Sequence, residues 1–225
     1  MLSLGDFRDG FLGLEDGRSR RIAALNVPAV FPSDSRCWVI AYGEAPGPRG
    51  AGVSGIPFWG DGAGVPLYRA LAGAGLVEVP EAAWEEWDGA RFVRESLFPI
   101  FRGAALSNAY PMCPTDDGVH FRTPRPPEVK ARSNVDRIRS ELVRARELGV
   151  VKVVTMGRIA AGVVQPLAVE QGLALEAFPH PSSQGLLMAA PGKGKGMRLD
   201  DLRREWGERL LLVLNEARLG VAGRE

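Results

Sequence analysis

Val150-Val-Lys-Val-Val-Thr-Met156, followed directly by Gly157-Arg-Ile-Ala-Ala161, is the stretch that decides the fold. A short run dominated by β-branched residues is a strand buried on both faces. The helix formers behind a single glycine open the crossover that a parallel neighbour requires. The same alternation continues outward. On the N-terminal side, 134–148 (NVDRIRSELVRAREL) sets Val135, Ile138, Leu142 and Ala145 at helical spacing, with Gly149 as its C-cap. Before it, 103–109 (GAALSNA) is a second strand, ending at Asn108 and broken by Pro111, and the polar, Pro-rich stretch through Pro127 cannot be regular helix. Earlier still, the run Cys37–Tyr42 is a strand that enters a Gly- and Pro-crowded loop, Gly43–Gly64, and a helix resumes over Pro66–Gly75. On the C-terminal side Leu173–Phe178 forms a fourth strand, and Leu199–Ala217 closes the chain as a helix. Strands separated by helices of crossover length predict an α/β fold: a three-layer α/β/α sandwich with a central, mostly parallel four-stranded sheet. One domain is expected over residues 1–225, with 1–35 as an N-terminal extension packing on it.

Composition narrows the function classes. At 225 residues and 45% hydrophobic content the chain can bury a sizeable core. Its 28 Lys and Arg against 27 Asp and Glu leave a net charge of +1, so any surface for a polyanion must be local. Cys37 and Cys113 lie far apart, which excludes a zinc or iron–sulfur site built from thiolates alone. With only His120 and His180 as histidines, no metal and no cofactor is expected. The opening residues hold no apolar run of signal-peptide length, and no stretch approaches the roughly eighteen apolar residues of a membrane span. A cytoplasmic protein without a membrane partner is expected.

In a parallel sheet the loops after the strands converge on one edge. Here those loops carry Glu44 and Asp61, Asn108, and His180. Singly, each has an ordinary explanation as a turn, a strand-end cap or a histidine between two prolines. The GxGxxG and GxxxxGK[ST] phosphate loops are absent, as is the GxSxG elbow, and His180 is too near Ser182 and Ser183 in sequence to act as their base.

Taken together and in order, Gly43-Glu-Ala-Pro-Gly47, Gly55-Ile-Pro-Phe-Trp-Gly-Asp61, Asn108 at a strand end and His180-Pro-Ser-Ser183 resemble the uracil-DNA glycosylase superfamily. The match spans residues 43–183. The first motif resembles family 4, and Gly60-Asp61 resembles family 5. Both families usually hold an iron–sulfur cluster on four cysteines; this chain has two in total, so no cluster is expected. The resemblance implies a monofunctional repair glycosylase, a monomer, nucleoid-associated when on DNA. It would flip uracil or another deaminated base out of DNA, hydrolyse the N-glycosidic bond and leave an abasic site. It also implies roles. Phe58 stacks on the base, Asn108 reads its edge and Ala45 lines its pocket. His180 stabilises the leaving group, and Asp61, ranked ahead of Glu44, activates water. Pro46 and Gly47, with Ser182 and Ser183, hold phosphates; Gln184 and Leu186 belong to an apolar wedge; Lys193 and Lys195 form a basic patch. Two other readings stay open: a non-catalytic relative that binds uracil-containing, damaged or single-stranded DNA, and an α/β enzyme acting on free nucleosides or nucleotides.

Overall fold

A computed structural model of the chain describes residue 22, residues 25–33 and residues 36–222. Four strands form the main sheet: β1 (Val39–Gly43), β4 (Ala104–Asn108), β5 (Lys152–Met156) and β6 (Ala174–Phe178). All three pairings are parallel, in the spatial order β4-β1-β5-β6. The two central strands, β1 and β5, are the apolar runs that the sequence offers, as burial on both faces demands.

Side chains of β1 alternate between two cores. Val39 and Ala41 face a layer made by α2 (Gly64–Gly73) and α8 (Leu199–Ala222), where Leu67, Leu71, Leu210 and Leu214 are buried. Ile40 and Tyr42 face α5 (Arg132–Glu147) and α6 (Arg158–Glu170), against Ile138, Leu142, Val164 and Ala168. The result is the expected three-layer sandwich, with a sheet that is wholly rather than mostly parallel. No helix among the described residues is long and apolar enough to cross a membrane.

Of the proposed extension 1–35, residues 1–21, 23, 24, 34 and 35 lie outside the described residues. The part that is described covers a sheet edge. Val30 exchanges both backbone hydrogen bonds with Leu106 (2.9 and 3.0 Å), so the outer side of β4 is paired and all five of its residues are buried.

Several elements go beyond the sequence reading. A ribbon of β2 (Val77–Glu78) and β3 (Ile100–Phe101) and a short helix, α3 (Gly89–Arg94), bracket an aromatic cluster of Trp59, Tyr68, Trp84, Trp87 and Phe92. The short helices α1 (Ala51–Ser54), α4 (Pro126–Val129) and α7 (Ser183–Ala189) stand where loops were expected.

The strand order positions the site. From β1 the chain moves to β4 on one side and then crosses through α5 to β5 on the other, so the order reverses at β1. A crevice opens beyond the carboxyl ends of strands at such a switch point. The α5 face anchors this crossover: Leu142→Ala is expected to lower stability by about 2–5 kcal/mol in chemical denaturation, whereas a loss within roughly 0.5 kcal/mol, typical of surface changes, would show that α5 is not packed as described.

Candidate active site

A cleft of about 1130 Å³ lies at that carboxyl edge, lined by Glu44 after β1, Gly157 after β5 and His180 after β6, with Phe58 and Asp61 from the loop that follows β1. Phe58 is held in a left-handed backbone conformation, φ 64°. Three side chains fix the carbonyls around it: the Tyr68 hydroxyl donates to Pro57 O (3.0 Å), the Ser54 hydroxyl to Trp59 O (2.8 Å) and the Trp87 indole to Asp61 O (2.8 Å).

The ring of Phe58 reaches the end of β1. A Cβ on Gly43 would lie 2.3 Å from Phe58 Cζ and 2.7 Å from Asn108 Oδ1, so only glycine lets the two side chains meet there. Asn108 sits directly across from Gly43 in the β1–β4 register and is 1% exposed. Its Nδ2 has no partner among the described residues. A buried donor left unpaired costs about 1–3 kcal/mol. The His180 ring stands 6.1 Å from the Phe58 ring, centroid to centroid.

Behind Asn108 is a clamp that the sequence reading missed. Arg137 donates to the carbonyls of Asn108 (2.8 Å) and Ala109 (3.3 Å) and to Asn134 Oδ1 (2.9 Å), and it is ion-paired with Glu141. Asn134 donates to Ala109 O (2.8 Å) and Val129 O (2.7 Å), while the Ser107 hydroxyl donates to Glu141 (2.9 Å). Residues 134, 137 and 141 share one face of α5, so part of its supposedly charged outer side turns inward onto the end of β4.

His180 accepts a hydrogen bond at Nδ1 from the Ser182 N–H (3.3 Å). The proton of the neutral ring is therefore on Nε2. Burial pushes the imidazole pKa below its ordinary 6.5, with the nearby Glu44 carboxylate opposing the shift. Glu44 itself accepts from the Ile159 N–H at the start of α6 (3.2 Å). Gly157 makes room for it: at φ 96°, a Cβ there would lie 2.3 Å from Glu44 Oε1. Asp61 is used differently. Its Oδ2 accepts from the N–H groups of Gly47 (3.2 Å) and Ala51 (3.1 Å), latching the first motif to the second. Burial raises the Asp61 pKa, and the Ala51, Gly47 and Gly50 amides hold it down.

The remaining sequence candidates divide. Ala45 and Gly47 line the cleft, but Pro46 is buried, and the Gly47 amide is occupied by Asp61 rather than free for a phosphate. Ser182 and Ser183 line it as well; Ser182 Oγ caps α7 by accepting from Gly185 N (3.1 Å), and Ser183 Oγ accepts from Arg203 (3.1 Å). Each hydroxyl keeps its own proton to donate. Gln184 is exposed in the cleft. Leu186 is not a wedge: it is 4% exposed and belongs to the core with Phe178 and Trp206, because its helical position turns it inward. The apolar side chain that α7 presents outward is Met188. Lys193 and Lys195 are exposed but do not line the cleft. Lining residues that the sequence reading missed include Phe121, Arg158 and Arg203.

No group of three or more His, Cys, Asp or Glu among the described residues could hold a metal ion. Cys37 lies before β1 and donates to Val39 O, whereas Cys113 follows β4 at the opposite end of the sheet. Burial pushes both thiols up to about 12, leaving them protonated. These residues do not fit an iron–sulfur cluster.

The architecture is that of an α/β protein with a cleft in the switch-point crevice. Residues 28–203 match the model of the uracil DNA glycosylase superfamily, and the chain belongs to that superfamily. A search of curated proteins finds no match.

The clamp is testable apart from activity. Arg137→Met is expected to cost about 2 kcal/mol in urea denaturation, because charge-assisted bonds to two carbonyls vanish and Glu141 loses its partner. Removing Glu141 as well, as Leu, should cost less than the single change. A double-variant loss equal to the sum of the two single-variant losses would show that the pair is not coupled.

Proposed function

We propose that this chain is a monofunctional DNA glycosylase that hydrolyses the N-glycosidic bond of uracil, or of a closely related deaminated base, after the nucleotide has left the stack. The observation that carries the reading is the Phe58 ring of the cleft wall, which meets buried Asn108 and its unpartnered amide at the end of β1 and stands 6.1 Å from the neutral imidazole of His180. A flipped base needs a face to stack on and a partner for its edge. The carboxamide of Asn108 accepts from N3–H through Oδ1 and donates to O4 through Nδ2, a pairing that uracil satisfies and cytosine, with its donor and acceptor exchanged, does not.

Cleavage leaves negative charge on the base and positive charge on the sugar. His180 offers Nε2–H to O2, where the negative charge collects, and being fixed in advance it needs no reorganisation. Glu44 has one carboxylate oxygen tied to the start of α6, which leaves the other to orient water and to face the developing positive sugar. The Asp61 carboxylate, held by the 47–51 backbone, is a positioning residue that keeps Glu44 and Phe58 on the same side of the cleft. An amine nucleophile would make the enzyme bifunctional, and no lysine is among the residues lining the cleft. Hydrolysis by water is the route this supports.

Purified protein incubated with labelled oligonucleotides containing uracil, hypoxanthine or xanthine, then treated with alkali, should give a strand break at the modified base. No break from any of the three overturns the reading. Glu44→Gln should slow single-turnover cleavage by orders of magnitude with little change in stability, whereas Asp61→Asn should weaken both. A wild-type rate for Glu44→Gln would return the water to Asp61.

The pH dependence follows from His180. Its folded pKa lies below 6.5, so its contribution to stability is complete above that value and is lost as the pH falls through the lowered one. Protonation puts a hydrogen on Nδ1 facing the Ser182 N–H. Cleavage should therefore be flat above pH 6.5 and decline only on the acid side, and the limb should disappear in His180→Gln; an acid limb that survives in that variant assigns it to another group.

A further inference from the structure

We infer that the cleft holds a second base-stacking subsite at its rim, where Phe121 takes an unpaired nucleobase next to the flipped one and Arg158 meets the strand's phosphate. This rests on the glycosylase reading for the identity of the strand, and on separate residues for the subsite itself.

The first observation is size. At about 1130 Å³ the cleft exceeds the ~300–1,000 Å³ that a whole small-molecule ligand takes, whereas Phe58, Asn108 and His180 account for a single base. The second is the rim's chemistry. Phe121 is 48% exposed and Met188 58% exposed, yet both line this cleft, Phe121 from the segment after β4 and Met188 from α7. A phenylalanine serving the core would be buried.

The segment that carries Phe121 is braced. Residues Thr115 and Phe121 pair as an antiparallel bridge, and Arg122 N donates to Pro114 O (3.0 Å). The Arg122 guanidinium forks onto Glu128 and also donates to Asp116 (2.9 Å). Arg122 is thereby turned away from solvent, and the charges of the segment are spent on holding an exposed aromatic ring in the cleft. Stacking on such a ring is tolerant of sequence, because every base has a π-face.

The third observation is charge. Arg158, the first residue of α6, is exposed, lines the cleft, and has no ion pair or hydrogen bond within the described residues. The two carboxylates that line the cleft, Glu44 and Asp61, are both engaged by backbone amides. An unpaired guanidinium in the same cleft as an exposed ring suits a nucleotide, with its phosphate and its base, better than it suits an apolar peptide. A base available to Phe121 must be free of its own duplex partner, so single-stranded or locally melted DNA is the substrate form this rim favours.

Fluorescence anisotropy with a uracil-free single-stranded oligonucleotide tests the subsite without any chemistry. Phe121→Ala should weaken binding about tenfold, Phe121→Trp should preserve it, and Arg158→Gln should reduce the salt dependence of binding by about one ion. Circular dichroism melting of each variant checks that the fold is kept. For cleavage, two uracil oligonucleotides are compared, one complete and one with alkali-stable base-less residues (tetrahydrofuran) on both sides of the uracil. The rise in KM caused by Phe121→Ala should be seen with the first and vanish with the second, with kcat unchanged in both. A loss of the same size on both substrates, or no loss on either, overturns the subsite even if uracil is cleaved. Phe121-dependent binding of the strand without cleavage of any modified base would keep the subsite and overturn the glycosylase reading.

Discussion

The site depends on a missing side chain at the end of the central strand. Gly43 faces Asn108 across the β1–β4 ladder, and the Phe58 ring fills the place where any Cβ would project. Backbone pairing thus sets where the Asn108 amide lies, and the empty position beside it sets where the aromatic face can lie. The parallel sheet delivers the two strand ends side by side; the Arg137 clamp then fixes the carbonyl of Asn108 from the opposite layer, so the amide is held by its own backbone on one side and by α5 on the other.

Electrostatics separates two carboxylates that look equivalent as letters. Glu44 and Asp61 are both acidic residues in the loop after β1, and nothing local distinguishes them. In the folded chain Asp61 becomes a clasp between two motifs, because two amide groups of the 47–51 segment converge on one of its oxygens. Glu44 reaches over Gly157 to the start of α6, where the helix N-terminus favours its charge and where it lies near His180. Division of labour within the cleft is thus a matter of which backbone donors each carboxylate finds.

That division explains what could be read from the letters and what could not. The strands β1 and β5 announce themselves because burial on both faces demands uninterrupted apolar runs, and α5 and α8 do so through their periodicity. Helix α7 is hidden: Gln-Gly-Leu-Leu-Met after the HPSS turn reads as an apolar wedge, and it is helical because Ser182 caps it and Leu186 finds a place beside Phe178 and Trp206. Glu44, Phe58, Asn108 and His180 are candidates through their order along the chain, and the fold brings Phe58 close to Asn108 and His180. Asn134, Arg137 and Glu141 are not candidates, because their role exists only once one face of α5 meets the end of a strand some thirty residues earlier. Phe121 lay in a stretch rich in proline and charge, whose bracing depends on the partners Arg122 finds in Asp116 and Glu128.

The left-handed backbone at Phe58 has a consequence for how this protein can change. A non-glycine residue in that conformation carries a cost of about 1–3 kcal/mol, sustained only where the surroundings overdetermine it. Here the surroundings are the Tyr68, Ser54 and Trp87 bonds to the neighbouring carbonyls and the aromatic cluster beneath them. Glycine at position 58 would relieve the backbone and remove the ring in the same step. Relaxation of the backbone and retention of the aromatic ring therefore oppose each other at this residue: a more relaxed loop comes only with loss of the ring that packs at the end of β1.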